Sequence, residues 1–88
     1  MSGGYEVRLE TSAAKRIQAL QRHDQQRVMA AIQALAAEPR PRGCVKLSGT
    51  DAGYRIRVGN FRVIYLIDDG VWAITVTRVG HRREVYRR

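Results

Sequence analysis

Tyr5-Glu6-Val7-Arg8-Leu9 alternates apolar and charged side chains, the period of a half-buried strand. The period then lengthens. Thr11 or Ser12 is placed to cap a helix running to about Arg22, with Ala13, Ile17 and Leu20 on one face. Beyond a short break around His23, Asp24 is placed to cap a second helix, in which Val28, Ala31, Ile32 and Leu35 recur at i, i+3, i+4 and i+7. Pro39 closes that helix and Pro41 keeps it closed. So short a break predicts two antiparallel helices packed as a hairpin.

Residues 39–53, rich in Pro, Gly, Ser and Thr, form the one long connection, and Lys46-Leu47-Ser48 is its segment expected to touch the body. Three strands follow at roughly 54–58, 61–68 and 71–79, joined by Gly59-Asn60 and Asp69-Gly70, both of which match two-residue hairpin turns that need positive φ. The first turn pairs Ile56 with Val63 and Val58 with Phe61; the second pairs Tyr65 with Ile74 and Val63 with Val76. All of these fall on one face, and Tyr54, Phe61, Tyr65 and Trp72 share that buried parity. The opposite face carries Arg55, Arg57, Arg62, Ile64, Leu66, Thr75 and Thr77. The predicted class is α+β: an N-terminal strand, a two-helix antiparallel hairpin and a three-stranded antiparallel meander, one sheet with the helices on one face. Residues 1–88 are expected to form a single domain.

Charge changes what that sheet means. Sixteen Lys+Arg oppose eight Asp+Glu, a formal charge of +8, and fourteen of the cations are arginine, whose rigid fork suits bidentate contact with phosphate. Nucleic acid is the leading partner class and an acidic protein the second. The basic residues are scattered through strands and helices, which speaks against a membrane surface. The lone Cys44 permits no internal disulfide and suits a reducing cytosol. No apolar leader or span is evident, so a soluble cytoplasmic protein is expected. Asp68 and Asp69 have no third ligand nearby in sequence, and neither metal nor cofactor is expected.

Within the meander, a turn at Gly59-Asn60 sets Arg57 directly opposite Arg62, with Arg55 beside them. Like charges facing each other across a strand pair are destabilising. A solvated charged face or an edge salt bridge would be the plain explanation; an anionic ligand is the functional one.

The order strand, two helices, Tyr54-Arg55-Ile56-Arg57-Val58-Gly59-Asn60-Phe61-Arg62-Val63-Ile64-Tyr65, then Val79-Gly80-His81-Arg82-Arg83-Glu84-Val85-Tyr86 resembles the RelE/ParE superfamily of toxins, its RelE branch most closely. The likeness spans nearly the whole chain, and its specific part is residues 46–86. It implies a type II toxin acting as a ribosome-dependent messenger RNA endonuclease, held inactive by a RelB-like antitoxin and reaching operator DNA only through it. Position by position, the basic cleft residues of the family fall on Arg55 and Arg57, its central catalytic arginine on Arg62, its second on Arg82 and its C-terminal tyrosine on Tyr86. His81 stands where a basic residue precedes the second arginine. Lys46 and Arg83 join the expected RNA- and ribosome-binding set. The tail is about two residues shorter than in the best-known RelE-type pattern.

RNA cuts itself when its 2′-hydroxyl attacks the adjacent phosphorus, so the protein must align the attack, move two protons and stabilise charge. No metal is needed. Arginine stays protonated, which gives Arg62 and Arg82 the transition-state charge and Arg55 and Arg57 the strand's phosphates. Proton transfer is left to His81, Tyr86 or Glu84: Tyr86 by resemblance, His81 because imidazole titrates near working pH. Tyr86 could equally stack on a base. Two other readings stay open: a ParE-like inhibitor of DNA gyrase without nuclease activity, and an inactive relative that only binds its antitoxin.

Overall fold

In the computed structural model, which describes residues 4–49 and 52–81, the alternating N-terminal segment forms strand β1 (Glu6–Leu9). Helix α1 (Thr11–Gln18) follows at once, then α2 (Arg22–Ala34). The N-caps are Glu10 and Gln21, in extended conformation, instead of Thr11, Ser12 or Asp24; Asp24 lies one turn further on, where its charge favours the positive end of the helix. The break therefore falls at Ala19–Gln21, earlier than the expected one near His23. It is held by α2 itself: Gln25 Nε2 donates to the Ile17 carbonyl at 3.1 Å, taking one of the carbonyls that the end of α1 leaves unpaired. Helix α2 ends at Ala34, ahead of Pro39, through 3₁₀-type bonds from Leu35, Ala36 and Ala37.

The long connection contributes a strand, where the sequence pattern predicts only a touching segment. This is β2 (Val45–Lys46), which pairs antiparallel with β3 (Gly53–Val58) through Val45–Arg55 and Lys46–Tyr54. Strands β4 (Phe61–Asp68) and β5 (Ala73–His81) complete the meander. Strand β1 adds parallel to β5, giving one five-stranded sheet in the order β1-β5-β4-β3-β2. Because β2 is so short, Ile56–Val58 of β3 have no strand neighbour on their outer side among the described residues.

The core lies between the helices and one face of the sheet: Ala13, Ile17, Val28, Ile32 and Leu35 meet Tyr54, Ile56, Val63, Tyr65, Ile67, Ile74, Val76 and Val79. Tyr65 is wholly buried, and its hydroxyl donates to the Pro39 carbonyl at 2.8 Å, tying the proline segment to the sheet. Burial holds that phenol above its usual titration range.

The β3–β4 hairpin has the expected register, with Gly59 at φ +60° in its two-residue turn. The second hairpin differs. Its loop has four residues, 69–72, and positive φ falls on Trp72 (55°) instead of Gly70. Asp68 Oδ1 accepts the Gly70 and Val71 amides at 2.9 and 3.3 Å, a side-chain-built turn that widens the loop. Trp72 is consequently 55% exposed and stacked on Tyr5, not part of the core. Tyr65 pairs with Val76 and Ile67 with Ile74, two residues beyond the expected register. An irregularity follows, in which Thr77 is the extra residue of β5, so that Ile64 faces Arg78 and Val63 faces Val79. The Thr77 hydroxyl donates to the Ile64 carbonyl at 3.3 Å across that bulge.

Candidate functional site

The ladder sets Arg57 against Arg62 as direct neighbours, and Gly80 flanks Arg62 on its other side. One row along the same face, Ile64 stands between Arg55 and Arg78. Two adjacent rows thus bring four guanidinium groups onto one end of the sheet, and Gly80, itself buried, adds no side chain beside Arg62. The Arg62 Nε is buried with no acceptor in reach, although the residue makes other interactions.

Carboxylates gather at the opposite end. Arg40 pairs with Asp69 at 2.9 Å, its Nε donates to the Tyr54 hydroxyl at 3.1 Å, and its guanidinium lies 5.1 Å from the centre of the Tyr54 ring. Tyr5 donates its hydroxyl to Asp69 as well. Arg40 and the Tyr5 hydroxyl together hold the Asp69 carboxyl below its usual range, while that partner raises the titration of both Tyr5 and Arg40. The eight residues of β4 separate the two ends by about 20 Å at the usual rise per residue. The sheet is polarised along its strands, with the Arg40–Asp69 ion pair at the 69–72 loop and the cluster of arginines towards the Gly59 turn.

Not every expected site residue joins that face. Lys46 pairs with Tyr54, so its position has the helix-side parity, off the arginine rows. His81 stands opposite Phe61 and meets its ring edge-on at 6.0 Å, again at the parity opposite to Arg62. Arg82, Arg83 and Tyr86 lie outside the described residues. Arg78 is not among the site residues that the sequence predicts: an uninterrupted alternation through β5 puts Thr77 on that face, and only the bulge exchanges it for Arg78. Its signal is the spacing of Val76 and Val79, both buried and three apart in a strand of period two. Among the described residues, no three His, Cys, Asp or Glu side chains gather to hold a metal ion.

Beside Arg55 and Arg57 runs a groove of about 590 Å³, between the C-terminal part of α2, the 41–45 segment and the bare edge of β3. Ala31, Ala34, Leu35, Val45 and Ile56 make its floor apolar, and Arg42 and Glu38 add charge to its rim.

Comparison with known proteins matches residues 7–86 to the family model of the ParE toxin of type II toxin–antitoxin systems, parDE. Among solved structures, the chain is 29% identical to a chain of an archaeal RelE–RelB complex from Pyrococcus horikoshii, with a TM-score of 0.82, covering 93% of this chain and 99% of that one. A chain of a RelBE toxin–antitoxin complex from Mycobacterium tuberculosis is 28% identical, with a TM-score of 0.77 and coverage of 90% and 99%. The isolated RelE toxin of Escherichia coli is 24% identical and shares the fold, with a TM-score of 0.78 and coverage of 93% and 90%. A search of curated proteins found no match.

Proposed function

The chain belongs to the ParE toxin family of type II toxin–antitoxin systems, within the RelE/ParE superfamily and RelE-like in structure, and from this premise we propose that it is a ribosome-dependent, metal-independent endonuclease of messenger RNA. One observation carries the reading: Arg57 and Arg62 are direct cross-strand partners, with Arg55 in the adjacent row. A phosphodiester between them would turn mutual repulsion into shared attraction.

In the proposed reaction the substrate's 2′-oxygen attacks phosphorus, its proton passes to a base, and the bond from phosphorus to the 5′-oxygen breaks, with a proton delivered to the leaving oxygen. The products are a 2′,3′-cyclic phosphate and a 5′-hydroxyl. Arg62 and Arg82 stabilise the charge that builds on the phosphorane oxygens, while Arg55 and Arg57 hold the strand in line. Tyr86 takes the part of the base in preference to His81, whose ring packs on Phe61 away from the arginine face. The ribosome supplies the oriented message and the anionic surface met by the +8 charge, which places the action in the cytoplasm. A RelB-like antitoxin covers the apolar groove beside β3 together with the cations at its rim, folding as it binds, and reaches operator DNA on the toxin's behalf.

The test adds purified protein to naked RNA and to programmed ribosomes, and maps any cut and the ends it leaves. Cuts within codons bearing cyclic or 3′-phosphate ends, lost in Arg62→Ala and in Tyr86→Phe but kept in His81→Asn, are the expected result. A 5′-phosphate product, or full activity of Arg62→Ala, overturns the proposal. The ParE family match favours one alternative, inhibition of DNA gyrase without cutting. Under that reading, induction in cells removes plasmid supercoiling and leaves messages intact.

A further inference from the structure

Where α1 passes the bulge of β5, a second cavity of about 390 Å³ opens, walled by Ser12, Arg16, Ile64, Thr77 and Arg78. It contains two guanidinium groups from different elements and two hydroxyls, and no carboxylate among the described residues that line it. Ile64 ties it to the arginine rows, since Ile64 is two residues from Arg62 on β4 and therefore about 6.6 Å further along the same face. That step is comparable with the one a stretched nucleic-acid strand makes between neighbouring phosphates.

The bulge is what builds this place. Without the bulge at Thr77, Arg78 would point to the helix side and the cavity would lack its guanidinium. The Thr77 hydroxyl is held to the Ile64 carbonyl, which fixes the backbone from which Arg78 projects. Arg16 reaches the same cavity from the second turn of α1, so two cations from separate elements converge on one concavity.

We propose that this cavity is a phosphate subsite for single-stranded RNA, holding the phosphodiester next to the one that is cut, with Arg16 and Arg78 as the cations that grip it. The inference rests on the nuclease reading for the identity of its ligand, and its test is independent of cleavage. Fully 2′-O-methylated RNA oligonucleotides of two, three and four nucleotides cannot be cut and carry successively more phosphates. Binding is followed by fluorescence anisotropy at several salt concentrations, and by amide NMR shifts of Thr77 and Arg78. Affinity is expected to step up on lengthening, by about fivefold or more, with shifts at Thr77 and Arg78. In the Arg16→Gln/Arg78→Gln double variant the step disappears, and the slope of log affinity against log salt falls by about 0.7, the share of the one phosphate no longer neutralised. Arg78→Lys, which keeps the charge, retains most of that slope. A double variant that folds and keeps both the step and the slope overturns the subsite. If the step and its loss are seen while programmed ribosomes are not cut, the subsite stands and the nuclease reading fails.

Discussion

Replacing Arg57 with glutamate is expected to stabilise the fold and abolish activity in the same molecule. Arg57 and Arg62 are direct cross-strand partners. For two unit charges about 6 Å apart in a water-like dielectric, the repulsion is about 0.7 kcal/mol. Arg57→Gln removes it; Arg57→Glu replaces it with an attraction of similar size, so that the full change is about 1.4 kcal/mol before the side-chain entropy lost in ordering an exposed pair. A net gain of about 1 kcal/mol for glutamate and about 0.5 kcal/mol for glutamine remains. In a domain of this size that raises the melting temperature by about 4–8 °C and about 2–4 °C respectively. Thermal and urea unfolding followed by circular dichroism would measure it, with an unchanged dependence on urea concentration as the control for two-state behaviour. In about 1 M salt, where screening acts over about 3 Å, most of the gain should vanish. If Arg57→Glu is no more stable than wild type at low salt, or its gain ignores salt, the two arginines are not held against their own repulsion and the case for an anion between them collapses.

Tyr65→Phe deletes the bond to the Pro39 carbonyl and should cost about 1–2 kcal/mol in urea unfolding. Since burial raises the folded-state titration of Tyr65, wild type should lose stability as pH climbs beyond about 10, the unfolded phenol's value, and the variant should lack that component. Asp69 has the opposite sign: its carboxyl is held low by Arg40, so its contribution is present above about pH 4 and is lost as pH falls through the lowered value. Asp69→Asn should therefore weaken the protein near neutrality and flatten its acid-unfolding limb; an acid limb as steep as that of wild type would contradict the assignment. Gly59→Ala places a methyl 3.0–3.2 Å from the Arg27 guanidinium at a φ of +60°, and is expected to cost about 1–2 kcal/mol of unfolding free energy. A neutral result would mean that the turn and Arg27 relax together.

Elements whose period is enforced by burial are legible in the chain itself. Val28, Ile32 and Leu35 must share a helix face to reach the core, and Ile56 and Val63 must pair if both are to be buried, which fixes the Gly59 hairpin and with it the Arg57–Arg62 opposition. The second hairpin is not legible, because its length depends on one side chain: Asp68 satisfies two loop amides, a choice that competes closely with a tight turn at Asp69-Gly70 and leaves no mark on the hydrophobic pattern. From that choice follow the exposure of Trp72, the shifted register and the bulge. The same bulge hides Arg78 from the pattern and sets His81 on the face opposite to Arg62, since a strand that gains a residue reverses the parity of everything after it. The two-residue strand β2 carries too short a pattern to be told from a loop.

The uncovered rim of β3 has a consequence for the protein when it is alone. Ile56–Val58 offer a row of main-chain donors and acceptors to whatever strand comes by, the geometry that nucleates intermolecular sheets. Arg57 stands on that rim with Arg55 just beyond its end, and a second copy of the chain would have to bring its own arginines against them. The side chains that the proposed function assigns to a polyanion would therefore also act as gatekeepers against self-association, and neutralising them to gain stability would expose the unpartnered protein to aggregation.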